Sequence, residues 1–108
     1  MTRDLLDELP DTTAVLAAND RLALGAIDAI RDSGRTCPDQ ISVVGFNDMP
    51  YSDRFSPPLT TIRISQYELG AMVARLLLAT IADPGRPAET QLAAPALMIR
   101  GSTAPVRT

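Results

Sequence analysis

Apolar positions recur along this chain in two rhythms, one helical and one strand-like. In residues 3–9, Leu5, Leu6 and Leu9 fall on one side of a helix that Pro10 stops. This helix is amphipathic from the start, which reads as the end of something longer. Residues 13–18 (TAVLAA) are a continuous apolar run. Too short for a helix, the run suits a strand buried on both faces, as in a parallel sheet. From residue 21 to 33 the period turns helical, with Ala23, Ile27 and Ile30 in one stripe and Ala26 beside it. Asn19 or Asp20 can cap the start, and Gly34 suits a left-handed position after the end. Pro38-Asp39 make a turn. Residues 41–46 (ISVVGF) repeat the buried-strand pattern, and Asn47-Asp48 follow at once.

The second half is less regular. Residues 49–59 form a loop holding Pro50, Pro57 and Pro58, with the aromatics Tyr51 and Phe55. Residues 60–64 (TTIRI) alternate and read as a short strand. Ser65-Gln66-Tyr67-Glu68 has the form of a capping box, which opens a helix running to about Ala82. Leu69, Met72, Val73, Leu76, Leu77 and Ile81 share one broad face of it, and Asp83-Pro84-Gly85 ends it. Residues 86–89 are linker-like, residues 90–99 extended with a break at Pro95, and residues 102–108 read as a frayed tail.

The strand–helix–strand unit has a geometric consequence. Parallel strands joined by a helix cross over right-handed, so their carboxyl ends share one edge. Asn19-Asp20 and Asn47-Asp48 therefore both stand at that edge. In open parallel sheets this edge is where the ligand crevice lies.

Composition narrows the chemistry. The chain has 108 residues, the size of one domain or part of one, and 45% of them are hydrophobic, enough for a packed core. There is no His and no Lys, so the usual general base, Schiff-base chemistry and lysine-dependent phosphoryl sites are gone. One Cys closes no intrachain disulfide and builds no thiolate metal site. No metal or other cofactor is expected. The net charge of −3 argues against direct nucleic-acid contact by these residues. No run reaches the ~20 apolar residues of a membrane helix, and no signal segment is visible. A cytoplasmic protein without membrane contact is the expectation.

The order and spacing of these landmarks carry a resemblance. The residues are Val15-Leu16-Ala17-Ala18-Asn19-Asp20, Leu22-Ala23-Leu24-Gly25-Ala26, and Pro38-Asp39-Gln40-Ile41-Ser42-Val43-Val44-Gly45-Phe46-Asn47-Asp48. Pro57-Pro58-Leu59-Thr60-Thr61-Ile62, Glu68-Leu69-Gly70 and Ile99-Arg100-Gly101-Ser102-Thr103 complete the set. Together they resemble the LacI/GalR family of bacterial transcription regulators over nearly the whole chain. The resemblance implies an α/β, periplasmic-binding-protein-like fold: a parallel βαβ part of the C-terminal lobe plus one helix of the N-terminal-lobe type. It divides the chain into a C-terminal-lobe part (1–64), a helix and linker (65–93), and a returning strand and tail (94–108). The helix-turn-helix headpiece, hinge and most of the N-terminal lobe would lie outside these residues.

The implied function is effector sensing and dimerisation within a regulator, not catalysis. The effector would be a small polar molecule, sugar- or nucleoside-like. Asn19 and Asn47 match ligand-contact positions, and Phe46, at a strand end beside Asn47, could stack on a ring ligand; capping alone also accounts for Asn19 and core packing for Phe46. Position 47 is commonly Asp in the family, so Asn47 departs from its carboxylate grip on hydroxyl pairs. Asp20, near a helix start, and Asp48, before a turn, read as structural. Leu22 and Ala26 on the helix, with Tyr51 and Phe55 in the loop, match a homodimer interface. Cys37 reads as an unremarkable small residue.

Two other classes fit the residues less well. A periplasmic-type sugar-binding protein fragment shares the lobe architecture, but the Val-Gly-Phe-Asn-Asp and Pro-Pro-Leu-Thr-Thr wording fits the regulators better. A small α/β enzyme or phosphorylation receiver needs a lysine at a strand end or a glycine-rich first turn. The turn here reads Asn19-Asp20-Arg21-Leu22.

Overall fold

A computed structural model describes residues 1–107. The elements in chain order are α1 (Thr2–Glu8), β1 (Ala14–Leu16), α2 (Asp20–Asp32), β2 (Ser42–Asn47), a 3-10 turn (Ser52–Arg54), β3 (Thr60–Arg63), α3 (Gln66–Ala82) and β4 (Ala96–Met98). The sheet runs in the order β1-β2-β3-β4. Both β1–β2 and β2–β3 are parallel, in registers running from Ala14 opposite Ser42 to Leu16 opposite Val44, and from Val44 opposite Thr60 to Asn47 opposite Arg63. The chain divides into two units, one of residues 1–63 with 97–108 and one of residues 64–96.

In the first unit, α2 packs on β1 and β2, and α1 packs on α2. Asn19 caps α2 by accepting from Leu22 N at 2.9 Å, and Gly34 takes the left-handed turn beyond its end (φ +79°). The expected stripe of Ala23, Ala26, Ile27 and Ile30 is buried against Ile41, Val43 and Leu59. One expectation fails: β1 is not buried on both faces. It is the edge strand, α2 covers one face, and Leu16 on the other is 76% exposed. Val44 and Phe46, on the same face of β2, are half-buried.

The tail also differs from expectation. Ser102 is fully buried, bridging Val43 of β2 and Thr60 of β3. Its hydroxyl donates to the Val43 carbonyl (2.6 Å) and accepts from Thr60 N (2.8 Å), while its carbonyl accepts from Val43 N (2.8 Å). Ala104 N donates to the Ser42 hydroxyl. A short polar sequence looks frayed, yet these hydrogen bonds stitch it to strand backbone.

The second unit is dominated by α3. Ser65 caps it by accepting from Glu68 N, and its bounds match the sequence reading. No residue of α3 is buried: Leu69, Met72 and Leu76 are half-buried, and Val73, Leu77 and Ile81 are exposed.

Candidate functional site

Two register-matched parallel strands end at one edge of the sheet, β1 running toward Asn19-Asp20 and β2 toward Asn47-Asp48. Asp20 ties the two strand ends together. It is 1% exposed, and its carboxylate accepts from Met49 N (2.6 Å) beyond β2 and from the Thr61 hydroxyl (2.6 Å) on β3. This needs α2 to start very close to β2. Gly45 permits it, since a Cβ there would run into Asp20 Oδ1 and stand 2.9 Å from Leu59 Cδ2. Asp20 is thus structural, as expected, but its partners are other elements rather than its own helix end alone.

Asp48 is the second organiser. Its Oδ1 accepts from the Ser52 hydroxyl (2.7 Å) and pairs with Arg100 Nη1 (2.8 Å), while Oδ2 accepts from Arg63 Nε (2.6 Å). Arg100 Nη1 also donates to the Leu59 carbonyl (3.0 Å). The Arg100 hydrogen bond, with help from Ser52 and Arg63, holds the Asp48 carboxyl well below the usual carboxylate range despite burial. Asp48 in turn raises the Arg100 guanidinium. The expected turn role of Asp48 therefore widens into a bridge among the β2 end, β3 and the closing segment.

The loop between these anchors is strained. Asn47 (φ +105°), Asp48 (φ +52°) and Tyr51 (φ +72°) all have positive φ, a conformation tolerated by Asn and Asp and costly for Tyr. Strain of this kind persists only where surrounding bonds over-determine it, and here Asp20 and Asp48 supply them. Asn47 is left exposed at the edge, Asn19 half-exposed, and Phe46 half-buried beside them.

The four residues matched to an interface do not all lie on a surface. Leu22 is 42% exposed and Tyr51 is 67% exposed, with the Arg54 guanidinium 5.5 Å from its ring centre. Phe55 is half-buried against the chain's own core. Ala26 is a correction: at 2% exposure it faces β-strand side chains inside the core, four residues along α2 from Leu22, and it has no surface to offer. Cys37 packs partly against the core, and burial pushes its thiol up. The sequence reading missed Ser52, Thr61, Arg63 and Arg100 as partners. Their signal was weak, a Thr and an Arg in a short alternating strand and one Arg in the closing motif. Among the described residues no cluster of metal-ligating side chains occurs, and no helix is long and apolar enough to cross a membrane.

A parallel βαβ layer with polar side chains converging at its carboxyl edge is the layout of an open α/β lobe whose ligand crevice lies outside the strand ends. Residues 1–103 match the profile of the periplasmic binding protein-like domain, and the chain belongs to that family. It is 46% identical over 96 residues to the HTH-type transcriptional repressor PurR of Histophilus somni (strain 129Pt), covering 89% of this chain and 28% of that protein. It superposes on the transcriptional regulator CelR–cellobiose complex with a TM-score of 0.88 at 35% identity, covering 94% of this chain and 31% of the other. The Lac repressor dimer bound to operator and the anti-inducer ONPF gives a TM-score of 0.82 at 40% identity, covering 94% and 35%. These relatives are LacI-type transcription regulators rather than enzymes, as the resemblance implied. The chain spans about 28% of the length of such curated relatives.

Proposed function

We propose that this chain forms one wall of the effector cleft, and part of the dimer contact, of a LacI-type transcription regulator. The observation that carries this reading is the placement of Asn19 and Asn47 at the ends of two register-matched parallel strands, on a loop held by Asp20 and Asp48. An amide offers a donor and an acceptor to a polyhydroxylated ligand. The CelR–cellobiose complex, which shares this fold, supports a sugar-like effector. Effector binding acts on DNA affinity only through its different affinities for two lobe closures, so this edge needs a facing lobe. α3 (Gln66–Ala82) belongs with that second lobe, which accounts for its uncovered apolar side chains. Leu22 and Tyr51 are the exposed apolar residues for contact with a second copy.

Calorimetric titration with cellobiose, lactose and ribose tests the reading. The 108-residue chain alone binds weakly, because it supplies one wall of the cleft. A longer protein carrying both lobes binds at least one sugar, and Asn47→Ala weakens that binding roughly tenfold. Tight binding that ignores both Asn19→Ala and Asn47→Ala would sink the assignment. Light scattering tests the dimer: a stable, folded monomer at micromolar concentration would overturn that part.

A further inference from the structure

The carboxyl edge has an unusual balance of donors and acceptors. Both of its carboxylates are turned inward. Asp20 is 1% exposed and occupied by Met49 N and the Thr61 hydroxyl. The Asp48 side chain is 6% exposed and shared by two guanidinium groups and a hydroxyl. Arg100 is also largely covered, its side chain 16% exposed, and the exposed Asp53 of the neighbouring turn acts on it. Arg63 differs. Its side chain is 51% exposed, and among the described residues only its Nε is engaged, by Asp48. Its two terminal amino groups are left to point at solvent.

The register sets Arg63 opposite Asn47, at the same level of the edge. Asn19 spends its Oδ1 on the α2 cap, so what it offers outward is its NH2. A ligand at the two strand ends therefore meets two amides and a guanidinium fork, while the carboxylates of Asp20 and Asp48 are already occupied. A carboxylate that could accept from the hydroxyl pair of a neutral sugar is not left free by Asp20 or Asp48. A planar guanidinium fork instead matches the oxygens of a carboxylate or phosphate.

Building on the cleft reading above, we infer that the effector is a sugar-sized polyol carrying an anionic group, and that Arg63 is the residue that reads that group. Asp48 serves as the positioning residue that fixes the fork beside Asn47.

Nuclear magnetic resonance on the nitrogen-15-labelled chain tests this, because it detects weak binding. The probes are glucose, glucuronate, glucose 6-phosphate and inorganic phosphate. The expected result is that at least one acidic sugar shifts the Arg63 Nε–H and Asn47 side-chain amide signals and binds about tenfold more tightly than glucose. Whichever of glucuronate and glucose 6-phosphate responds more strongly identifies the anion as carboxylate or phosphate. Arg63→Gln brings the acidic sugar to within about twofold of glucose, and Arg63→Lys, which keeps the charge without the fork, retains part of the preference. Unchanged backbone amide spectra of both variants show that the fold persists. Glucose binding this edge as well as both acids would overturn the inference while leaving the cleft reading intact. Inorganic phosphate binding as tightly as glucose 6-phosphate would overturn it too, by marking a bare anion site. Silence at this edge with all four probes would overturn the inference and the cleft reading together.

Discussion

Helices α2 and α3 each follow a strand and each start from a side-chain cap, yet they end in opposite situations. α2 is 13 residues long and buries six of them, including Ala23, Ala26, Ile27 and Ile30. α3 is 17 residues long, richer in large apolar side chains, and buries none. The difference lies in what each helix finds. The α2 stripe is narrow and packs in one core cluster with Ile41 and Val43, at the start of β2, and Leu59, just before β3. α3 has caps, helix-forming residues and length enough to fold locally, and its broad apolar face stays uncovered. Helix formation and burial are thus separable, and hydrophobic content alone does not say where a core is.

The sharpest way to break this comparison is a pair of truncations read by urea denaturation. Ile30 is fully buried, so Ile30→Ala should cost about 3 kcal/mol through lost transfer and a residual cavity. Leu77 is 57% exposed, and Leu77→Ala should change stability by less than about 0.5 kcal/mol. If a second copy covers α3 in solution, the Leu77→Ala cost instead grows with protein concentration, because association stabilises by mass action. Equal costs at every concentration would dissolve the contrast.

Ser102→Ala is the next largest expected effect. It leaves the buried Thr60 N–H without an acceptor and the Val43 carbonyl without that donor. The loss should be about 2 kcal/mol by the same denaturation. A loss near zero would mean that the closing segment merely lies against the sheet.

The contrast also explains what could be read from the sequence. The α2 stripe, the Gly34 turn, the capping Ser65 and the bounds of α3 were legible because periodicity and capping are local. So was the shared strand edge, since a right-handed crossover fixes it. The exposed face of β1 was not legible: TAVLAA looks the same whether one layer or two cover it. Nor was the packing of Ser102, whose three backbone partners lie 42 or more residues away. The same holds for the Asp48 bridge. Asp48 could be placed at a turn, but Arg63 and Arg100 reach it from 15 and 52 residues along the chain. Ala26 shows the opposite error, a residue beside the stripe that family position put on a surface and that packing puts in the core.

That bridge gives the first unit an acid sensitivity. The Asp48 carboxyl is held down in the folded chain, chiefly by Arg100, so folding favours its ionised form. A group with a depressed folded value contributes stability above its unfolded value, ~3.9, and loses it as pH falls from there toward the folded value. Acid titration followed by circular dichroism should therefore show stability declining below about pH 4. Asp48→Asn should lower stability at neutral pH and flatten that decline. An unchanged acid slope in the variant would place the sensitivity on other carboxylates.

The smallest effect tests the comparison at its root, the caps. Asn19 accepts from Leu22 N at 2.9 Å and Ser65 from Glu68 N at 3.4 Å. Removing either side-chain acceptor costs about 1 kcal/mol or less, with the longer Ser65 contact at the lower end. The readouts should diverge nonetheless. α2 is packed, so Asn19→Ala should lower the cooperative unfolding midpoint of the first unit. α3 buries nothing, so Ser65→Ala should lower helix content in the far-ultraviolet signal before the transition and leave the midpoint in place. Local fraying of this kind is what an element with few buried contacts shows. A Ser65→Ala midpoint shift as large as that of Asn19→Ala would mean that α3 unfolds together with the sheet, and that its apolar face has found a cover in solution.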